Sequence, residues 1–466
     1  MGFYNDIDVF GASAAIILEN SEHFTYAELL AAADALKNHI PKRCLVFSVC
    51  ENSLESVVGY IGFLRGRIVP VLLHDGLNRE AFDNLLLTYK PAYIWLPCEK
   101  AKAANWGQEV YRYGNYVLLK TDYVIDYAIH DDLALLLSTS GSTGSPQSVR
   151  QSYKNINSNA NAIAQYLGIT RTDRPITTLP MSYTYALSII NSHLLKGCAI
   201  ILTKKTFMDK AFWGLLKTKE ATTFGGVPYI YEMLKKLCFS RMELPSLKVL
   251  TQAGGKMASE LAREFATICE QKGIRFFVMY GQTEATARMS YLPNKYAISK
   301  AGSIGIAIPG GEFWLEDNGG SVIAESDTVG ELVYKGDNVT MGYAESCRDL
   351  CKGDENGGVL KTGDMAKRDA DGFYYVVGRK KRFLKLFGNR VNLDEVEHLI
   401  KGSGFSCACA GEDDHLRIYT SDKEDHAAII NLIAERTGIH PSAFDVIYME
   451  SIPRNEAGKV LYSALK

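Results

Sequence analysis

The feature that most restricts how this chain can fold is a long alternation of two hydrophobic periods. From about residue 10 to residue 310, short apolar runs take turns with segments whose apolar residues recur every three to four positions. The runs are CLVFSV (44–49), VPVLL (69–73), AYIWLP (92–97), LALLL (133–137), PITTLP (175–180), AIILT (199–203), ATTFGGVP (221–228), LKVLTQA (247–253) and FFVMYG (276–281). Between them, TYAELLAAADALKNHI (25–40) and ASELAREFATICEQKG (258–273) carry helical spacing. Thr25, with Glu28 three residues on, predicts a capping box at the start of the first. Strand and helix in alternation predict an α/β architecture of mostly parallel sheets covered by helices.

The pattern changes after residue 310. EDNGGSVI (316–323) and DADGFYYVVG (369–378) set the turns Asn318-Gly319 and Asp371-Gly372 beside β-rich runs. This predicts a small antiparallel β subdomain over about 311–381. The basic cluster GRKKRFLK (378–385) marks a boundary near Lys381. The expected organisation is a large N-terminal domain, 1–381, followed by a small mobile α+β domain, 382–466. A chain of 466 residues, 47% of them hydrophobic, has the material for more than one core.

Charge and cysteine usage exclude several classes of function. Scattered Lys and Arg, 51 against 53 Asp and Glu, offer no basic face to nucleic acid or to a membrane surface. No apolar run approaches the roughly 18 residues that span a bilayer. MGFYNDIDVF lacks the pattern of a signal peptide, and Asp6 stands where myristoylation wants Ser or Thr. Ten cysteines without a regular framework fit a reduced, cytoplasmic setting, and Cys407 and Cys409 read as alternate positions on one strand rather than as zinc ligands. No metal is assigned to them.

LLLSTSGSTGSPQSVRQS (135–152) ends a strand in a run of Gly, Ser and Thr. Such a run turns backbone N–H groups and hydroxyls toward one point, which suits a polyphosphate. The P-loop pattern does not fit, because Pro146 and Val149 stand where its second glycine would follow Gly141 and Gly144.

The stretch resembles the phosphate-binding signature T-S-G-[ST]-T-G-x-P-K-G of the adenylate-forming superfamily: acyl-CoA synthetases, adenylation domains of nonribosomal peptide synthetases, and firefly luciferases. Thr139, Ser140, Gly141, Ser142, Thr143, Gly144 and Pro146 match, whereas Gln147 and Ser148 depart from Lys and Gly. A phosphate-facing cation is thereby missing, which implies either weak ATP binding or help from neighbouring Arg150. MYGQTEAT (279–286) resembles Y-G-x-T-E, which implies Tyr280 and Gly281 beside the nucleotide, Thr283 at the α-phosphate and Glu284 as the magnesium ligand. Met279 replaces a frequent Asn or Gln. QAGGKM (252–257) is similar to the adenine-binding strand end, with Gly254 and Gly255 letting backbone approach a flat ring.

The longest match is LKTGDMAKRDADGFYYVVGRKKRFLKLFGNRVNLDEVE (360–397). By resemblance Asp364 takes the ribose hydroxyls, Arg379 adds a ribose or phosphate contact, Lys381 is the hinge, and Gly388 lines the thiol channel. IPRNEAGKVLYSAL (452–465) resembles P-R-x-x-x-G-K and implies that Lys459 lies between the substrate carboxylate and the α-phosphate. TYAELL (25–30) and GELVYKGDNVTMGY (330–343) agree as well.

LPMSYTYALS (179–188) aligns with L-P-x-x-H-x-x-G, with Tyr183 in place of histidine. Thr184 stands where amino-acid-activating relatives carry aspartate, which disfavours an α-amino acid, since a buried ammonium needs a counter-charge. Tyr183, Tyr185, Gly281, Phe224 and Val227 are candidate lining for the acid; the aromatic and apolar members equally suit a core.

The resemblance implies an AMP-forming acid–thiol ligase. It would use ATP and Mg2+ to activate a small carboxylic acid as an acyl-adenylate, then pass the acyl group to CoA or to a carrier protein's phosphopantetheine. Two alternatives stay open: an adenylation enzyme that serves an amine or a carrier without CoA, and a non-catalytic nucleotide- or acyl-binding relative, suggested by Gln147, Ser148 and Met279.

Overall fold

The computed structural model describes residues 2–102, 105–138, 147–380, 382–386, 389–412, 415–437, 440–454 and 460–465. They fall into two compact units, one formed by the residues up to Glu312 with Lys335–Leu360, the other by Phe313–Tyr334 with the residues from Lys361 on.

The first unit holds an eight-stranded and a nine-stranded sheet. In the eight-stranded sheet Leu45–Cys50 runs parallel to Val69–His74 and to Tyr93–Pro97, and Val69–His74 runs parallel to Leu133–Ser138. All six residues of Leu45–Cys50 are buried, as expected for a parallel strand covered on both faces. In the nine-stranded sheet Thr223–Gly226, Val249–Gln252 and Arg275–Tyr280 are parallel neighbours, with Thr223 opposite Val249 and Val249 opposite Arg275. The runs PITTLP and AIILT shrink to Pro175–Ile176 and Ile200–Ile201. Thr177 explains the early end, because its Oγ1 accepts the N–H of Thr203 at 2.9 Å and so replaces a ladder bond.

One strand is invisible to hydrophobic pattern. Ser148–Ser152, SVRQS, is buried at all five positions and pairs antiparallel with Leu133–Ser138. The helix Tyr26–Lys37 carries its capping box: Glu28 N–H donates to Thr25 Oγ1 at 3.2 Å and Thr25 N–H donates to Glu28 Oε2 at 2.8 Å. Its buried Tyr26, Leu29, Leu30, Ala33 and Leu36 make one helical stripe. ASELAREFATICEQKG forms Ser259–Gln271.

The second unit contains the antiparallel hairpin Val359–Arg368 with Tyr374–Arg379. It also contains a three-stranded sheet of Cys407–Glu412, His415–Thr420 and Phe444–Tyr448, accompanied by the helices Leu393–Gly402 and His426–Thr437. Cys407 and Cys409 lie two apart on one strand and are both buried in a core with Leu416, Ile418 and Ile429. No helix among the described residues is long and apolar enough to cross a membrane.

Candidate active site

In an open α/β sheet ligands gather outside the carboxyl ends of the strands. The parallel strands Thr223–Gly226, Val249–Gln252 and Arg275–Tyr280 end side by side, and the residues that follow them include Val227, Gly254, Gly255, Gly281, Thr283 and Glu284. Gly254 adopts φ +85°, and a Cβ there would meet the Tyr183 hydroxyl at 2.5 Å and Val227 at 3.0 Å. The Tyr183 ring and Val227 therefore pack closely against this backbone, which only a residue without a side chain permits. Gly255 follows against Pro228.

The segment after Tyr280 folds back sharply. Arg275–Tyr280 continues into an antiparallel pairing with Ser290–Tyr291, so the residues between form a hairpin loop. A Cβ on Gly281 would lie 1.7 Å from the Ala287 carbonyl oxygen, so only glycine permits this path. Thr286 takes φ 65° and ψ -51°, and Ala287 N–H donates to the Ala285 carbonyl at 2.7 Å. This is a γ-turn with positive φ, a strained conformation for a β-branched residue. Its surroundings hold it there: Thr286 Oγ1 donates to the Asn338 carbonyl at 2.7 Å, and Thr184 Oγ1 donates to the Thr286 carbonyl.

Glu284 sits in the single 3₁₀ turn Thr283–Ala285, with Thr283 half-buried beside it. Its carbonyl accepts Thr340 N–H at 3.0 Å and Thr340 Oγ1–H at 2.9 Å, and its Oε1 accepts the Tyr343 hydroxyl at 2.8 Å. Glu284 makes no ion pair with any described residue. A fixed carboxylate with a free oxygen fits a hard divalent cation such as Mg2+, which takes one or two carboxylates and fills its shell with phosphate and water.

The pairing of Ser138 with Ser148 places the two ends of the Gly/Ser/Thr loop next to each other. Thr139, Ser140, Gly141, Ser142, Thr143 and Gly144 lie outside the described residues, as do Lys381, Gly388 and Lys459. Gln147 donates Nε2–H to Glu345 at 2.7 Å. The expectation that Arg150 supplies the missing cation is corrected. Its side chain is wholly buried and committed to the Tyr343 carbonyl at 3.0 Å, the Met341 carbonyl at 2.7 Å, the carbonyls of Lys352 and Gly353, and Glu355. Both faces of the strand Ser148–Ser152 are buried, so Arg150 is turned away from solvent.

In the second unit, Asp364 and Arg379 face each other across the hairpin. Arg379 donates Nε–H to Asp364 Oδ1 at 2.7 Å, the carboxylate almost fully buried and the guanidinium half-exposed.

Around Tyr183, the aromatic candidates divide. Tyr183 is half-buried and meets Tyr185 edge-on at 6.4 Å. Tyr185 is buried, its hydroxyl donates to the Thr251 carbonyl at 2.9 Å, and burial pushes its pKa up to about 12. Phe224 packs against Phe212 and Trp213 as core. Two features escape sequence reading: the strained Thr286 and the buried Arg288, whose only sequence signal is a cation inside the resumed β pattern ARMSYL. A separate cleft of about 790 Å3 in the first unit, bordered by His130, Lys154, Lys335 and Asp354, holds none of the candidate residues.

A family model described as AMP-binding enzyme matches residues 5–344. A 2-succinylbenzoate–CoA ligase of Bacillus velezensis is 27% identical over 97% of this chain and 86% of its own length. A long-chain-fatty-acid–CoA ligase of Mycobacterium tuberculosis is 26% identical over 72% of this chain and 67% of its own. Among solved structures, O-succinylbenzoate coenzyme A synthetase of Bacillus subtilis in complex with AMP has a TM-score of 0.81 at 22% identity, covering 100% of this chain and 98% of that one. ATP-bound MatB from Rhodopseudomonas palustris has a TM-score of 0.78 at 21% identity, with 100% and 98% covered. The chain shares their fold.

Proposed function

The chain belongs to the AMP-binding enzyme family, and from that premise we propose that it joins a carboxylic acid to a thiol in two half-reactions. In the first, a carboxylate oxygen attacks the α-phosphorus of ATP, the bond to pyrophosphate breaks, and an acyl-adenylate forms. In the second, the thiol of CoA attacks the acyl carbon, its proton goes to solvent, and AMP departs. The observation that carries this reading is the rim itself: glycine backbone at Gly254 and Gly255 after Val249–Gln252, Tyr280 at the end of the neighbouring parallel strand, and one loop away the carboxylate of Glu284, held by the Tyr343 hydroxyl and in no ion pair with a described residue.

In this scheme adenine lies on Gly254, Gly255 and Tyr280, with Thr283 hydrogen-bonding the α-phosphate. Glu284 would hold Mg2+, which neutralises phosphate charge when bound. Asp364 accepts from the vicinal ribose hydroxyls while the bond from Arg379 keeps its carboxylate aimed. The loop at 139–144 cradles the departing pyrophosphate. Lys459 bridges carboxylate and α-phosphate as negative charge builds between them, a preorganised stabilisation of the transition state. Movement about Lys381 then exchanges Lys459 for the Gly388 segment, which admits the thiol. CoA is favoured over a carrier-bound thiol because the similar proteins are named as CoA ligases. All ten cysteines are free, which fits a reducing cytoplasmic location.

The test is ATP-dependent pyrophosphate release with a panel of carboxylic acids, with and without CoA or a carrier protein. No release with any acid would sink the ligase reading. Lys459→Ala should slow adenylation by on the order of 10²-fold or more, while thioester formation from supplied acyl-adenylate suffers much less. Equal loss in both half-reactions overturns the assigned role of Lys459.

A further inference from the structure

Arg288 follows the strained loop and is 2% exposed. Its Nε donates to Ser188 Oγ at 3.1 Å, and its Nη1 to Tyr166 Oη at 3.1 Å and Met279 Sδ at 3.2 Å. The guanidinium lies 5.1 Å from the centre of the Tyr185 ring. Two hydroxyls, a thioether and a π face carry no negative charge, and no described carboxylate pairs with Arg288. A buried cation without a counter-charge is costly, by several kcal/mol even after relaxation.

The position of this cation says what the missing charge is for. Tyr185 and Ser188 stand three apart on one face of the helix Thr184–Leu194, which starts directly after Tyr183. Tyr183 touches the rim at Gly254, and Tyr185 reaches Thr251 on the strand leading to that rim. Met279, the sulfur acceptor, immediately precedes Tyr280 and Gly281. Arg288 thus lies against Tyr185 and Met279, whose neighbours along the chain include the rim candidates Tyr183 and Tyr280. Burial raises the Tyr185 and Tyr166 phenols, with Arg288 acting in the opposite direction, so both stay neutral beside it.

We propose that Arg288 reads a second anionic group on the acid: the substrate is a dicarboxylic acid whose one carboxylate is activated while the other enters next to Tyr166, Ser188 and Arg288. A flat or short apolar middle section suits packing against the half-buried Tyr183 ring. This rests on the ligase reading above.

Phthalic, homophthalic and glutaric acids, each paired with its monomethyl ester, provide the probes. In the wild-type protein at least one diacid should exceed its half-ester about 10²-fold in kcat/KM, since truncating one partner of a buried charge pair costs that much or more. In Arg288→Met that ratio should collapse to within about threefold of unity, with Arg288→Lys intermediate. Equal use of diacid and half-ester by the wild-type protein overturns the assignment, and that comparison stands even if Arg288→Met fails to fold. Calorimetric titration of each diacid in the presence of AMP separates the two readings. Selective diacid binding, lost in Arg288→Met, without pyrophosphate release keeps the Arg288 site and rejects the ligase. Pyrophosphate release from monoacids with no diacid preference does the reverse.

Discussion

Arg150 and Arg288 are both buried side chains of the first unit, and they are solvated in opposite ways. Arg150 has four backbone carbonyls and the Glu355 carboxylate around its guanidinium. Arg288 has hydroxyls, a thioether and a ring. The first set ties the polar strand Ser148–Ser152 to the segment Met341–Glu355, and nothing is left for a ligand. The second leaves the charge uncancelled. Burial of an arginine is thus no sign of function until the chemistry of its partners is counted.

The comparison breaks first on stability. Arg150→Met should cost about 3–5 kcal/mol, because several carbonyls lose their donor at once. Chemical denaturation should show a lower midpoint at unchanged slope, and a loss under about 1 kcal/mol would remove the structural role assigned to Arg150.

The next effect is in pH. Burial, with Arg288 adding in the same direction, lowers the pKa of His193 to about 4, and its Nδ1 lies 2.8 Å from the Ile189 carbonyl. The folded protein therefore holds a neutral imidazole where the unfolded chain takes up a proton near its ordinary value. The resulting stability is complete above a pH of about 6.5 and is lost as the pH falls toward about 4, by roughly 3 kcal/mol in all. A denaturation series across that range, compared with His193→Gln, should show the slope in the parent alone. Arg288→Met should narrow the window, and Arg150→Met should leave it in place.

Arg288→Met itself should leave stability unchanged or raise it by up to a few kcal/mol, since a similar-sized apolar side chain removes the cost of an uncompensated buried charge. A loss as large as that of Arg150→Met in the same assay would make the two arginines alike. The smallest effect is expected at Gln147→Lys. Glu345, now bonded to Gln147, would pair with the new ammonium at the surface, worth about 0.2–1 kcal/mol. The KM for ATP should then move less than about threefold, whereas a tenfold fall would show the lysine reaching phosphate instead.

What the sequence made legible follows from range. Leu45–Cys50, Val69–His74 and Arg275–Tyr280 declare themselves by local composition, and the Thr25 cap by a spacing of three. The interval between Asp364 and Arg379 is legible because a hairpin converts sequence distance into a facing pair. Ser148–Ser152 stayed hidden because its polar side chains are satisfied by residues nearly two hundred positions away, as Arg150 is by Tyr343 and Gln147 by Glu345. Arg288 was hidden for the same reason: its partners Tyr166 and Ser188 come from two helices a hundred or more positions away, and no local period records what a buried cation lacks. The turn at Thr286 had no signal, since threonine carries no preference for positive φ.

Gly281 has a consequence for comparing this chain with others. The Ala287 carbonyl oxygen occupies the place where any side chain at position 281 would begin. A relative that carries another residue there cannot route the next eight residues along this path, and its counterpart of Arg288 would point elsewhere. A single codon therefore reports whether acid preference can be transferred between two members by alignment.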